Sequence, residues 1–103
     1  MLKADISSIV LAQIGEQWHR ANLHGVNLKA CLVEPELIEF TTVRDEKLTK
    51  AWLVLCEHPN KQNGYAVVFD EATGTFGLAQ FAEGYDPCLL GLYGDFFSTL
   101  EAM

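Results

Sequence analysis

The sequence predicts an α+β fold with an N-terminal helix, a five-stranded antiparallel meander and a C-terminal helix, both helices packing on one face of a curved sheet. Two observations predict it. Apolar residues recur with a helical period at both ends of the chain, and with a period of two between residues 26 and 82. The length of 103 residues suits one domain, and 50% hydrophobic residues favour a packed core over disorder.

The first helix is expected to begin near residue 5, because Asp5 or Ser7 can serve as its N-cap. Gly25, after His24, is a suitable C-terminal stop. The apolar stripe of this helix consists of Val10, Leu11, Ile14, Trp18 and Ala21.

The middle of the chain is predicted to form five strands, joined by connections short enough to favour antiparallel neighbours. Pro35 is expected to end the first strand, and Gly74 suits the turn before the fifth. The predicted strands cover residues 26–33, 37–43, 49–57, 65–70 and 75–81.

The third and fourth predicted strands are apolar on both faces. In the third, for example, Trp52 and Val54 alternate with Leu53 and Leu55. Two helices cannot cover both faces of five strands, so the second face needs either the interior of a curled barrel or another subunit. From this packing argument we expect a homodimer.

The last segment is predicted to be one amphipathic helix, with Asp86 as N-cap and Pro87 in the first helical position. Gly91 and Gly94 leave its polar side nearly bare, so that a second copy, a partner backbone or a ligand could approach it; a bent helix is the alternative. The apolar arc consists of Leu89, Leu90, Leu92, Tyr93, Phe96, Phe97 and Leu100.

The charge is uneven along the chain, whose formal net charge is −7. Residues 1–61 hold 8 acids and 7 bases, whereas residues 62–103 hold 6 acids, no Lys or Arg, and eight of the eleven aromatic residues. Such a surface repels phosphates, so we expect neither nucleic acid nor an anionic membrane as a partner.

The three cysteines, Cys31, Cys56 and Cys88, are odd in number and have no Cys-x-x-Cys spacing, which favours reduced thiols. The N-terminal residues do not resemble a secretory signal, and no run approaches the roughly 18 apolar residues of a membrane span. We therefore expect a cytoplasmic protein.

Three groups of residues are candidates for chemistry. Cys56 and His58 share a strand face, as two metal ligands would, but the chain shows no recognised metal spacing. Cys88 at a helix start could be a nucleophile, although Asp86 opposes its thiolate. Carboxylates for acid–base work could come from Asp70, Glu71, Glu83 and Asp86, whose simpler role is in turns and caps. No catalytic residue, metal or cofactor is assigned.

The most suggestive residue for binding is Tyr85, in a loop with Glu83 and Asp86, because tyrosine offers contact area with a polar tip. The full set of candidate binding residues is Tyr85, Glu83, Asp86, Trp52, Tyr93, Gly91 and Gly94.

The leading hypothesis is a non-catalytic acidic protein-interaction module that acts as a homodimer. Its sharpest form is an inhibitor or immunity-type protein for a basic partner. One alternative is a small-ligand pocket between sheet and helices, lined by Trp18, Phe40, Trp52 and Tyr93. Another is a small enzyme using Cys88, His58 or a carboxylate pair.

Overall fold

A computed structural model describes residues 2–19, 27–58 and 63–102 of the chain. It confirms the predicted α+β class, with an N-terminal helix, five strands in one sheet and a C-terminal helix. The elements are α1 (Lys3–Ile14), α2 (Leu28–Cys31), β1 (Leu32–Thr42), β2 (Leu48–Cys56), β3 (Gly64–Asp70), β4 (Thr75–Phe81), β5 (Cys88–Gly94) and α3 (Phe96–Glu101).

The five strands neighbour one another in chain order, and consecutive strands pair antiparallel, as the meander predicts. The sheet then closes into a barrel, because β1 also pairs with β5 in parallel. This closing contact is short: Thr41 is opposite Cys88 and Thr42 is opposite Leu89.

Closure gives the strands two cores, one on each face. The barrel interior is filled by Phe40 and the small and branched side chains around it. Its buried members are Phe40, Ala51, Leu53, Cys56, Ala66, Val68, Ala79 and Leu89. The strands that are apolar on both faces thus form a curled barrel, and their packing does not require a second subunit.

The helices cover part of the outer face of the sheet, as predicted. We call the cluster that they form with it the helix-covered core. Its buried members are Ile6, Val10, Ile14, Leu28, Trp52, Val54, Leu55, Val67, Phe69, Phe76, Phe96 and Leu100.

Helix α1 starts and stops earlier than predicted. Asp5 is not the N-cap; it lies in the first turn, where its Oδ2 accepts a hydrogen bond from Leu2 N at 2.8 Å. The helix ends at Gly15, which has a φ of +56° and donates to Leu11 O. The expected stop at His24 and Gly25 lies outside the described residues.

The first two predicted strands are wrong in their bounds. Residues 28–31 form the helical turn α2, capped by the Asn27 side chain, which accepts from Ala30 N at 3.2 Å. Strand β1 then runs through Pro35 instead of ending there. The β1–β2 register shifts between Leu32 and Glu36, and such an irregularity tolerates a residue without an N–H.

The predicted C-terminal helix is wrong over its first half. Residues 88–94 form β5, and only residues 96–101 are helical. The N-cap is Asp95, whose Oδ1 accepts from Ser98 N at 2.7 Å, and not Asp86. Gly91 and Gly94 therefore belong to a strand and not to the bare side of a helix.

Candidate functional site

A groove opens where β1 and β5 part from each other. Thr41 N donates to Pro87 O at 3.0 Å, and Val43 N donates to Leu89 O at 3.1 Å. Beyond this point β1 has ended and the chain turns through residues 43–47, while β5 continues to Gly94. We call the space between them the seam groove; it measures about 620 Å³ and is lined by residues 42–45 and 89–93.

Large apolar side chains are exposed along the seam groove. Val43 is 57% exposed, Leu92 43% and Tyr93 46%. The Tyr93 ring lies over Gly91, because a Cβ placed on that glycine would be 3.6 Å from the ring. A side chain at Gly91 would therefore make only an ordinary contact with this ring, so the structure gives no steric reason for a glycine there.

The turn that forms the other wall of the groove is held by Thr42 and Asp45. The Thr42 hydroxyl donates to Asp45 Oδ1 and accepts from Lys47 N at 3.1 Å. The hydrogen bond from Thr42 is the main reason why the pKa of Asp45 lies below its ordinary value, and the amide and charge of Lys47 act in the same direction. The turn that faces the apolar residues of β5 is therefore polar but carries no net charge, because Arg44 and Lys47 balance Asp45 and Glu46.

The loop between β4 and β5 leads into the base of this groove, since Pro87 lies beside Thr41. Tyr85 at its tip is 79% exposed, and Glu83 and Asp86 are exposed beside it. The backbone of the loop is tied to the preceding hairpin by Glu83 N, which donates to Asn63 Oδ1 at 3.3 Å.

Six of the seven candidate binding residues therefore lie on one stretch, residues 83–94, but Trp52 does not. Trp52 is only 8% exposed in the helix-covered core, and its Nε1 donates to Glu71 Oε1 at 3.2 Å. Gly94 closes β5 with a φ of +96°, so its role there is conformational.

The four residues expected to line a small-ligand pocket do not converge. Phe40 is in the barrel interior, Trp18 and Trp52 pack in the helix-covered core, and Tyr93 is on the surface. The pocket proposed from those side chains is therefore not formed.

The residues that are candidates for chemistry are also dispersed. Cys56 is buried in the barrel interior, whereas His58 is exposed and pairs with Glu57, with 3.1 Å between Nε2 and Oε1. Cys88 starts a strand and not a helix, so it has no helix N-terminus beside it. Within residues 2–19, 27–58 and 63–102, no three His, Cys, Asp or Glu side chains are grouped to hold a metal ion.

Two of the four carboxylates that could serve acid–base chemistry make other contacts. Asp70 Oδ2 accepts from Thr73 Oγ1 at 2.7 Å in the β3–β4 turn, and Glu71 bonds Trp52. Glu83 and Asp86 lie in the β4–β5 loop.

Comparisons with known proteins find no relative, since no family model, no curated protein and no solved structure matches the chain. Of the helices that the structure describes, none has the length and apolar character needed to cross a membrane.

Proposed function

We propose that this protein is a non-catalytic interaction module that binds a basic protein through the seam groove and the adjoining β4–β5 loop. One observation carries the proposal: two exposed tyrosines, Tyr85 and Tyr93, lie on the same short stretch of chain as the acidic Glu83 and Asp86.

The apolar part of this surface supplies contact area. Tyrosines bring a large ring at low cost in side-chain entropy, and they are enriched at the centres of protein interfaces. Val43 and Leu92 extend the apolar area on either side of the groove. Exposed apolar residues grouped in this way are typical of interaction sites.

The charge of the surface selects the partner. Residues 62–103 hold six acids and no Lys or Arg, so this part of the molecule attracts basic surfaces and speeds their encounter. The groove wall itself carries no net charge, since Arg44 and Lys47 balance Asp45 and Glu46, so the negative charge of this surface comes from Glu83 and Asp86 in the adjoining loop.

An inhibitor or immunity-type role follows from the same charge. An acidic surface that occupies the phosphate-binding site of a basic protein blocks nucleic acid from it. The proposal includes a cytoplasmic location, which free thiols at Cys31, Cys56 and Cys88 support.

The expected homodimer depends on exposed apolar residues, because the barrel interior is filled without a second copy. A dimer could cover Val43, Leu92 and Tyr93, or other exposed apolar residues such as Leu11 and Leu48. Sedimentation over a concentration series decides between a dimer and a monomer that keeps this surface for another protein.

The proposal is tested by affinity capture from cell lysate at low salt, with charge-reversed variants. Glu83→Lys combined with Asp86→Lys should abolish retention of a basic protein that the unmodified chain holds. The matched control reverses the exposed Glu16 and Glu39, so the net charge changes equally while the loop stays intact. Equal loss from both variants, or retention of no basic protein, would reject the proposal.

A further inference from the structure

The edge of β5 that faces away from β4 is only partly used. Pairing between β1 and β5 covers two residue pairs, and the last is Thr42 with Leu89. Of residues 90–94, Gly91, Leu92 and Gly94 pair with β4, and no strand of the described chain pairs with the other side of this stretch. An edge of this kind is a template for a further strand.

The space beside this edge has the form of a slot. The seam groove lies between β5 and the 43–47 turn, so an extended segment placed in it would run along β5 with the turn as its far wall. Strand addition needs little from side chains, because main-chain hydrogen bonds supply the affinity.

We infer that the basic partner contributes an extended segment that adds to β5 as a sixth strand along residues 90–94. This inference rests on the proposed function and names the form in which the partner is recognised. Charge complementarity supports a basic segment: the loop leading to the groove carries Glu83 and Asp86, and residues 62–103 contain no Lys or Arg.

The acidity of the chain also disfavours a second copy as the strand that adds to β5. The chain carries a formal charge of −7, so two copies repel each other, whereas a basic segment is attracted.

The experiment uses the full chain labelled with ¹⁵N and three synthetic nine-residue peptides as probes. The first alternates lysine with threonine, the second is the same peptide N-methylated at every amide, and the third has glutamate in place of lysine. We expect the lysine peptide to shift the amide resonances of residues 90–94 and to slow their hydrogen exchange.

The methylated peptide keeps the charge but cannot donate main-chain hydrogen bonds. It should therefore bind at least tenfold more weakly than the lysine peptide, which is about the effect of losing one or two such bonds. The glutamate peptide should not bind.

The outcomes separate this inference from the proposed function. If the two lysine peptides bind equally, or if the shifts lie away from residues 90–94, strand addition is wrong while binding of a basic partner stands. If the lysine peptide does not bind although lysate capture yields a loop-dependent partner, strand addition is also wrong. Failure of both experiments rejects both proposals. Slowed exchange at residues 90–94 that depends on protein concentration without peptide would assign this edge to a dimer and overturn the inference.

Discussion

Gly77 of β4 lies so close to Gly91 of β5 that a Cβ at Gly77 would be 2.7 Å from Gly91 O. The added atom would also be 2.7 Å from the Leu92 side chain. Strands β4 and β5 therefore approach each other closely beside the seam groove, and their spacing sets the position of the groove residues on β5.

Replacement of Gly77 by Ala should destabilise the fold by about 1–3 kcal/mol, the usual cost of overpacking. The backbone oxygen of Gly91 cannot move aside as a flexible side chain could. Gly91→Ala is the matched control, because its Cβ would only reach ordinary contact with the Tyr93 ring at 3.6 Å. Urea unfolding of both variants measures the difference, and a Gly77→Ala protein as stable as the control would contradict the close approach.

Asp95 and Asp86 form a second matched pair. Asp95→Ala should cost about 1 kcal/mol of stability, because Asp95 Oδ1 caps α3 by accepting from Ser98 N. Asp86→Ala removes the aspartate that the sequence predicts as the cap, and it should change the free energy of unfolding by less than about 0.5 kcal/mol. Thermal unfolding of the two variants tests this order, and the opposite order would restore a helix that begins at residue 86.

The C-terminal region shows why the sequence misleads there. The β4–β5 register shifts twice, so that Leu90 and Tyr93 are extra residues on β5. Each bulge inserts one extra residue, so the alternation of side chains between the two faces of β5 shifts by one position. The apolar residues then recur at intervals that resemble those of a helix, although the backbone is a strand. A sequence pattern cannot separate these cases, because pairing with β4 decides between them.

The middle of the sheet was more predictable. Strands β3 and β4 match their predicted ranges within one residue, because a strict period of two and a turn at Gly74 define them. The failure at Pro35 has a local cause, since the rule that proline ends a strand does not apply at an irregularity.

The candidate site was predictable on one side only. The sequence identifies Tyr85, Glu83 and Asp86 because they are adjacent in the chain. It does not identify Val43 or Asp45, which reach the site through parallel pairing of Thr42 with Leu89, far apart in sequence. Turn composition alone gives no signal of that contact.

Gln13 provides a link between the two ends of the chain. Its Oε1 accepts from Phe96 N at 3.1 Å, so α1 satisfies one of the free amides at the start of α3. Gln13→Ala should cost about 1 kcal/mol, because a buried donor loses its acceptor. Ser8→Ala on the same helix is the control, since among the described residues the Ser8 hydroxyl bonds only to Ala4 O in its own helix. Chemical unfolding should separate the two variants, and equal stabilities would show that the Gln13 contact contributes nothing.

The turn that walls the seam groove should respond to pH through Asp45. The pKa of Asp45 lies below its ordinary value of 3.8, chiefly because the Thr42 hydroxyl donates to the carboxylate. A carboxyl group whose pKa is depressed by folding stabilises the fold above the unfolded value, and that contribution is lost as the pH falls through the folded value. The turn should therefore loosen only below pH 3.8. Thr42→Val removes the hydrogen bond and should raise the pKa of Asp45 toward its ordinary value, so that less of the turn's stability depends on pH than in the unmodified protein.

The Asp45 carboxyl carbon, followed by NMR through an acid titration, reports this shift directly. Thr41→Val is the control, because it makes the same replacement one residue earlier, and no hydrogen bond joins the Thr41 side chain to Asp45. A rise of the Asp45 pKa in Thr42→Val but not in Thr41→Val is the expected result. An equal pKa in all three proteins would show that the Thr42 hydroxyl does not hold the carboxylate, and the polar wall of the seam groove would then need another explanation.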